Sequence, residues 1–259
     1  MLVKTDFHLH TRYIGCADET MEVVDILRIC QDAGLEEIAI TDHLNHLGQL
    51  DQHWQIKEAL VRCDESITVY FGAELNFSGP NGQLAIDDEA FENAMGFQFF
   101  IGGIHSAYGT DRTPLEILRT QQEHFLKICN HPQVSVLVHP FWFPRREYVA
   151  MPWLKDLSAL PEEWIAELGE TAVKTGTAIE INAEAIFDCP YYPESFKESY
   201  LEFLARLKEY GVRFSFGTDS HSIGQLASIS TLQRVAKQLG ITMEQIWRPE
   251  GLVDIRKVQ

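Results

Sequence analysis

Short apolar segments alternate with amphipathic helical segments along the whole chain, and this alternation restricts the fold more than any other feature. Several of the apolar segments are nearly continuous, as expected for strands that are buried on both faces. Strands that alternate with helices predict a parallel β-sheet, arranged either as a barrel or as a doubly wound open sheet. The seven predicted strands cover residues 3–8, 37–41, 68–75, 97–104, 135–138, 177–181 and 213–217.

Local sequence signals place helices between these strands. The segment from Thr113 to Glu116 combines an N-cap, a proline at the first helical position and a capping-box glutamate. Further helices are predicted at 194–210 and 225–239, because each shows an apolar stripe at helical spacing and is followed by a glycine. Residues 141–160 are predicted to form a long loop, and residues 79–82 a turn.

The length and composition fit one domain over residues 1–259. A single α/β barrel commonly has about 250 residues, and a chain of this size can bury a core without disulfide bonds or a structural metal. The 5 cysteines include no CxxC pair, which argues against a disulfide framework and against a zinc knuckle. We therefore expect any bound metal to serve chemistry.

The charge balance limits the classes of partner. A formal net charge of −17 at pH 7 argues against nucleic acid, since proteins that bind nucleic acid present basic patches. No apolar segment approaches the roughly 20 residues that span a bilayer, so no membrane association is expected. The N-terminal sequence lacks the pattern of a signal peptide, which favours a cytoplasmic location.

Polar residues at the ends of the predicted strands carry the strongest functional signal. His8 and His10 close the first strand, and alternate residues of a strand point to the same side, so both imidazoles project together. The other candidates lie within or directly after the later strands: His43, Glu74, His105, His139, Asp219 and His221. The carboxyl ends of barrel strands meet at one mouth, so we expect these side chains to share one space.

These residue types, in this number, predict a cluster of metal ions. Imidazole and carboxylate are ligands of zinc, manganese and iron. Eight such groups exceed what one four- to six-coordinate ion can use, which indicates two or three divalent ions with Glu74 as a bridge. The remaining histidines lie in predicted loops or helices and are expected to be structural or solvated: His46, His53, His124 and His131.

The ordered motifs resemble those of the PHP (polymerase and histidinol phosphatase) family of metallophosphoesterases. They are DFHLH, TDH, GAE, GGIHS, LVHP and GTDSH, and they run through most of the chain. Any one of them is weak evidence, whereas the complete ordered set is highly specific. The resemblance implies an α/β fold, a distorted seven-stranded (β/α)7 TIM-like barrel. It also implies an activity similar to that of histidinol-phosphate phosphatases and of small nucleotide or phosphodiester phosphatases.

The same resemblance implies how the ligands divide among the ions. The implied sets are His8, His10, Glu74 and Asp219 for the first ion, Glu74, His105 and His139 for the second, and His43 and His221 for the third. In the family the third set has one more ligand, shortly after the HxH motif.

The sequence departs from the family pattern at this last ligand. Close relatives often have histidine at the position that falls on Cys16, with Asp18 nearby. A cysteine thiolate binds zinc well and manganese poorly. Three interpretations stay open: Cys16 completes the third site, Asp18 completes it, or Cys16 is a small loop residue beside a site that holds no ion.

We expect the reaction to be hydrolysis of a small phosphomonoester by in-line attack of a hydroxide that bridges the metal ions. The candidate catalytic residues are Asp219, His221 and Arg145. The guanidinium groups of Arg145 and Arg146 could grip the phosphate, because a bidentate donor suits phosphate oxygens, and Arg12 is a second candidate. No nucleophilic serine or cysteine is required.

Neighbouring residues have expected supporting roles. Asp6 and Asp42 each adjoin a ligand histidine and could orient its ring or cap a strand end. Aromatic residues of the predicted long loop could form an apolar wall for the leaving group, or pack on the rim of the barrel: Phe141, Trp142, Phe143 and Trp153.

Two other functions compete with the phosphatase. A C–N hydrolase of the amidohydrolase type also begins with HxH on a barrel, but it lacks a use for the TDH motif, Glu74 and His221. A non-catalytic accessory module that only binds metal is the second alternative, and the presence of all eight ligand types argues against it. The sequence leaves open the physiological ester, histidinol phosphate or a nucleotide, and the oligomeric state.

Overall fold

A computed structural model describes residues 3–78, 83–84, 95–105, 113–151 and 154–258. Strands and helices alternate through these residues, because apolar segments of strand length are separated by segments with helical periodicity. The strands are β1 (Thr5–Leu9), β2 (Glu37–Ile40), β3 (His43–Leu44), β4 (Thr68–Ser78), β5 (Gln83–Leu84), β6 (Phe99–Ile104), β7 (Val134–Leu137), β8 (Ala178–Asn182) and β9 (Phe214–Gly217).

Seven strands form the wall of a nearly closed barrel, in the order β1-β2-β4-β6-β7-β8-β9. Each neighbouring pair along this path is parallel. The path closes between the last residues of β1 and the segment just after β9, where the Asp219 N–H donates to the His8 carbonyl oxygen at 2.9 Å and Leu9 pairs with Ser220. The predicted TIM-like barrel and its seven strands are confirmed, and the doubly wound open sheet is excluded.

Two short strands were not predicted from the sequence. β3 pairs in parallel with β4, and β5 pairs with β4 in the antiparallel direction. Each has only two residues, which is too short to show a hydrophobic period. β3 nevertheless matters for the site, because its register sets His43 opposite Glu74.

The helices surround the barrel. Within the described residues they are α1 (Val23–Asp32), α2 (Leu50–Arg62), α3 (Pro114–Asn130), α4 (Arg145–Ala150), α5 (Glu162–Thr175), α6 (Glu194–Glu209) and α7 (Ile229–Leu239). The capping box at the start of α3 forms as predicted, with the Thr113 N–H donating to Glu116 Oε2 at 2.8 Å. The helix predicted at 225–239 instead begins as a 3-10 helix, Ile223–Ser228, before α7. None of the described helices is both long and apolar enough to cross a bilayer.

Apolar side chains from six strands fill the inside of the barrel at its amino end. Trp247 lies at the centre of this cluster, with its ring centroid 5.5 Å from Phe7 and 5.4 Å from Phe99. The backbone N–H of Trp247 donates to the carbonyl oxygen of Phe214, the first residue of β9, so this cluster fills the amino end of the barrel. The polar residues therefore gather at the opposite mouth.

The segment at 141–160 is not the open loop that the sequence predicted. It contains α4, and its apolar side chains are buried at Phe141, Phe143, Met151 and further positions. The Phe141 ring packs edge-on against two other rings, with its centroid 4.8 Å from that of Phe125 and 5.5 Å from that of Phe203. The segment is thus part of the core. The turn predicted at 79–82 lies outside the described residues.

Replacing Gly72 with alanine is expected to destabilise the barrel. A Cβ atom there would lie 2.8 Å from the carbonyl oxygen of Phe99 on the neighbouring strand, and backbone in a sheet cannot easily move away. Overpacking of this kind costs about 1–3 kcal/mol. Urea unfolding of Gly72→Ala should show a lower midpoint at unchanged slope. The matched control is Gly224→Ala, where nothing lies within 4 Å of the new Cβ. Equal midpoints for the two variants would contradict this account.

Candidate metal centre

The strand ends bring the predicted ligand residues to one mouth of the barrel. This follows from the parallel arrangement, because every carboxyl end lies on the same side. His8 lies in β1 and His10 follows it, Glu74 lies in β4, His43 begins β3, His105 follows β6, His139 lies two residues after β7, and Asp219 and His221 follow β9.

The imidazole rings form one continuous group. The ring centroid of His10 lies 4.2 Å from that of His221 and 4.7 Å from that of His43. His43 lies 4.9 Å from His105, which lies 5.1 Å from His139. Residues that are far apart in sequence therefore meet within contact distance, as the sequence predicted.

Glu74 lies at the centre of this group, and its two carboxylate oxygens face different residues. Oε1 lies 3.1 Å from His105 Nε2 and 3.2 Å from His139 Nε2. Oε2 lies 2.8 Å from His43 Nδ1 and 3.3 Å from His8 Nε2. Glu74 is fully buried, so its charge has no access to bulk water. This arrangement is what a carboxylate that bridges two cations requires.

Asp219 completes the part of the group nearest β1. Its Oδ1 lies 3.1 Å from His10 Nε2, 3.5 Å from His8 Nε2 and 3.7 Å from His221 Nδ1. The possible ligands form four sets, and within each set the donor atoms lie within 4.8 Å of one another. The sets are His8, His10 and Asp219; His8, Glu74 and His139; His43, Glu74 and His105; and His10, Cys16, His43 and His221.

Cys16 joins the last of these sets, whereas Asp18 does not. The Sγ atom of Cys16 lies 3.9 Å from His10 Nδ1. Gly15 precedes it with a φ of 82°, a left-handed conformation that glycine adopts without strain and that turns the chain back toward the mouth. The Asp18 carboxylate instead accepts the Thr20 N–H at 2.9 Å. Of the two candidates for the extra ligand, the geometry favours Cys16.

Unsatisfied polar atoms in this group fit bound cations. Within the described residues, several buried atoms lack a hydrogen-bond partner, among them His8 Nε2, His43 Nδ1 and Glu74 Oε2. Buried polar atoms without a partner are costly, and native proteins rarely leave them so. The donor separations of 2.8–3.7 Å also bracket the value of about 3.3 Å that tetrahedral ligands about 2.0 Å from zinc would have. The residues present therefore fit divalent metal ions.

The charge states of Glu74, Asp219 and His10 also suit metal binding. Burial raises the pKa of Glu74, but the imidazoles of His43, His105 and His8 outweigh it and hold that pKa well below its usual range. Burial likewise raises the pKa of Asp219, and the imidazoles around it bring the pKa below its usual value. Burial lowers the pKa of His10 well below normal. Ionised carboxylates and a neutral imidazole are the forms that bind metal.

Asp6 and Asp42 do not orient the imidazole rings of the neighbouring histidines. Asp6 accepts the N–H of Thr218 at 3.0 Å and its hydroxyl at 2.6 Å. Asp42 accepts the N–H of Thr11 at 2.8 Å and its hydroxyl at 2.9 Å. Both carboxyls are buried, which raises the pKa of each to about 7. They brace the loops that follow β1 and β9, which is the strand-end capping role also considered from the sequence.

The candidate phosphate-gripping arginines lie outside the imidazole group. Arg145 and Arg146 begin α4, and both are exposed. Arg12 forms ion pairs with Glu22 and, at 3.8 Å, with Glu19, so its guanidinium is already engaged. The role of Arg145 stays a prediction, and Arg12 is the weaker candidate.

One of the four aromatic candidates borders the site. The Trp142 ring lies 5.3 Å from the His139 ring and 5.7 Å from the His105 ring. Phe141 and Phe143 are buried in the core instead, which is the packing role that the sequence had left open. Trp153 lies outside the described residues.

Sequence reasoning missed two polar residues of β8. Glu180 is buried, and its Oε1 lies 2.7 Å from His8 Nδ1. Asn182 donates to Glu180 Oε2 at 3.0 Å and to Asp219 Oδ2 at 3.2 Å. The available signal was a pair of polar residues at alternate positions of an otherwise apolar strand, on the face that points into the barrel.

Comparisons with known proteins found a matching family model and two similar proteins. A family model described as PHP domain matches residues 6–184. A protein of Caldicellulosiruptor saccharolyticus named "Probable phosphatase" is 23% identical over 240 residues, which cover 92% of this chain and 88% of the relative. A second "Probable phosphatase", from Caldicellulosiruptor bescii, is 24% identical over 237 residues, which cover 91% of this chain and 87% of the relative.

A solved structure shares the fold. The candidate histidinol phosphatase HisK from Listeria monocytogenes superposes with a TM-score of 0.65 at 13% sequence identity. The match covers 86% of this chain and 97% of the Listeria chain.

Divalent ions are expected to stabilise the folded protein, because they bind a cluster of side chains that exists only after folding. Zinc added to chelator-treated protein at 100 times its dissociation constant should raise the free energy of unfolding by about 2.7 kcal/mol for one site. Thermal unfolding of the chelated, zinc-loaded and calcium-treated protein measures this. Calcium is the control, since it prefers oxygen ligands. An unfolding temperature that zinc does not raise above that of the calcium sample would contradict a metal centre here.

Proposed function

Because the chain belongs to the PHP domain family, which its match over residues 6–184 shows, we propose that it is a metal-dependent phosphatase acting on a small phosphomonoester. The observation that carries the proposal is the position of Glu74. Its two oxygens face separate groups of imidazoles at 2.8–3.3 Å. Both Caldicellulosiruptor relatives are named phosphatases, which supports the same reaction class. A single domain over residues 1–259 is part of the proposal.

The proposed ligand sets divide the residues of the barrel mouth in the way that the resemblance to the PHP family implies. Glu74 contributes to the first two sets, and Cys16 completes the third. When bound, the ions would lower the pKa of a water molecule and neutralise charge on the phosphate oxygens. The proposed sets are His8, His10, Glu74 and Asp219 for one ion, Glu74, His105 and His139 for a second, and Cys16, His43 and His221 for a third.

The residues of the chain supply position and charge rather than a nucleophile. The anions Glu74, which is buried, and Asp219, which is partly buried, would hold the cations at fixed places in the mouth. Asp219 and His221 follow β9 and lie 3.7 Å apart, where they can contact both a cation and an oxygen of the substrate. Arg145 would approach the phosphate from α4, and Trp142 would form one apolar side of the pocket. Direct hydrolysis by water needs no covalent intermediate, so no side chain of the chain has to act as a nucleophile.

The proposed substrate class rests on the net charge of the chain and on the names of similar proteins. A net charge of −17 disfavours a polynucleotide, so a small phosphorylated molecule is the proposed substrate class. The Listeria protein shares the fold alone at this identity, but its name makes histidinol phosphate the first ester to test, followed by nucleoside monophosphates.

The composition of the centre separates this proposal from its alternatives. A carboxylated lysine is a common bridge in amidohydrolases, whereas Glu74, whose two oxygens each face imidazole nitrogens, would be the bridge in this centre. An accessory module that only binds metal would have no need to keep every ligand, and all the predicted ligands are gathered here.

Turnover of p-nitrophenyl phosphate with manganese, zinc or cobalt tests the reaction. The double variant His8→Ala, His10→Ala is expected to lose more than about 100-fold in kcat/KM, because even the loss of an outer partner of a metal site typically costs 10–100-fold. The control is His46→Ala, which removes an exposed histidine outside the donor sets. Equal rates in the double variant and the parent protein, or turnover confined to amides and lactones, would overturn the phosphatase proposal.

The metal preference of the third set tests the role of Cys16. Thiolate favours zinc over manganese, so Cys16→Ser should lose about one zinc per chain, and Cys16→His should take up more manganese than the parent protein. Elemental analysis after dialysis against both metals gives the stoichiometry. Cys63→Ser is the control, since the Cys63 Sγ atom lies 3.3 Å from the carbonyl oxygen of Ala59 and is in none of the donor sets. Unchanged zinc content in Cys16→Ser would exclude Cys16 as a ligand.

A further inference from the structure

Three hydrogen-bond donors converge on the carboxylate of Glu180, a residue that belongs to none of the proposed ligand sets. His8 Nδ1 lies 2.7 Å from Oε1. The His139 N–H donates to Oε2 at 2.9 Å, and the Asn182 side-chain amide donates to the same oxygen at 3.0 Å. Glu180 is 1% exposed, so water does not compete for these contacts. The two oxygens of Glu180 thus contact groups from three different segments of the chain.

The backbone next to Glu180 leaves room for this carboxylate. Gly217 ends β9 and pairs with Asn182 of β8. A Cβ atom on Gly217 would lie 2.2 Å from Glu180 Oε1 and 2.5 Å from the Cβ of His8. Any side chain at this position would push the carboxylate away from the imidazole. The contact between Glu180 and His8 therefore depends on the absence of a side chain on the neighbouring strand.

We propose that Glu180 is a positioning residue that holds a proton on His8 Nδ1 and thereby presents the lone pair of His8 Nε2 to a metal ion. This role rests on the metal centre of the proposed function. His8 Nε2 faces Glu74 Oε2 at 3.3 Å and Asp219 Oδ1 at 3.5 Å, and it has no hydrogen-bond partner. The tautomer of a ligand histidine is set by the hydrogen bond that its other nitrogen makes.

The same carboxylate also supports His139 and Asp219. His139 has a φ of 31°, a left-handed conformation that costs free energy in a residue with a side chain. Glu180 accepts the N–H of His139 and so stabilises the conformation that aims His139 Nε2 at Glu74 Oε1, 3.2 Å away. Asn182 links Glu180 to Asp219 Oδ2 at 3.2 Å. One buried carboxylate thus fixes residues that follow or lie in three different strands.

Glutamine at position 180 has nearly the same size but cannot satisfy these contacts. If its oxygen faces His139 and Asn182, its amide group faces His8 Nδ1 and favours the opposite tautomer, with the proton on Nε2. If the amide group instead faces the His139 N–H and the Asn182 amide, a donor meets two other donors. Either orientation weakens metal binding without creating a cavity. Glu180→Gln therefore tests the charge of residue 180 and its number of acceptor oxygens while the packing stays nearly unchanged.

The test compares zinc binding by the parent protein, Glu180→Gln and the matched control Glu37→Gln. Glu37 is the first residue of β2, at the amino end of the barrel, where it pairs with Arg248. Competition with a chromophoric chelator gives the dissociation constant, and transfer of zinc to excess chelator gives the release rate. Glu180→Gln is expected to bind about 10–100-fold more weakly than the parent, with Glu37→Gln unchanged. Binding within twofold of the parent in a folded Glu180→Gln protein would overturn the positioning role.

A second measurement does not depend on the folding of a Glu180 variant. Two-bond 1H–15N spectra of the histidine rings in the parent protein, with the His8 signals assigned by their loss in His8→Gln, report which nitrogen carries a proton. Nδ1 of His8 is expected to be protonated in the metal-free and the zinc-loaded protein at pH 8. An unprotonated Nδ1 would overturn the proposal. A parent protein that binds no zinc but has the expected tautomer would instead overturn the metal centre while leaving the contact with Glu180 in place.

Discussion

The structure depends on the burial of one carboxylate, Glu74, among imidazoles that come from every side of the barrel mouth. A buried carboxylate without partners costs several kcal/mol, and imidazoles alone do not satisfy their lone pairs. The fold tolerates this arrangement because the amino end of the barrel is filled by an independent apolar cluster around Trp247. Stability and chemistry are thus separated along the barrel axis, with packing at one end and charge at the other.

The sequence predicted those parts of the fold and the site that follow from local pattern. Apolar segments gave the seven strands, and the position of His8, His105 and His139 at strand ends gave the cluster, because parallel strands end on the same side. The role of Glu180 could not be found in this way. That role follows from hydrogen bonds to His8, which is 172 residues away in sequence, and to His139, which is 41 residues away. A local sequence pattern does not indicate such contacts.

Local pattern also failed where tertiary packing decides the outcome. Phe141 and Phe143 lie in a segment with loop-like composition, yet they are buried, because the segment folds back over α3 and α6. Asp6 and Asp42 adjoin ligand histidines in sequence, but each bonds to a threonine at the start of a loop. Closeness in sequence to a ligand residue did not predict contact with its ring.

Backbone strain in the described residues is concentrated where chain segments enter the site. The non-glycine residues with positive φ there are His139, Phe141 and Asp219, with values of 31°, 59° and 60°. Each follows a barrel strand, at the point where the chain turns across the mouth. Such conformations persist only where surrounding contacts determine them. Here the contacts are Glu180 for His139, core packing for Phe141 and the imidazoles for Asp219.

The charge of the chain explains why metal ions, rather than arginines, would have to receive the phosphate. A net charge of −17 repels an anionic ester at a distance, and the anions Glu74 and Asp219 add to that repulsion inside the mouth. Among the described arginines, Arg12 is engaged by Glu22 and Arg145 is exposed on α4. Cations held by the carboxylates would reverse the sign of the local potential, so affinity for the phosphate and catalysis would depend on the same ions.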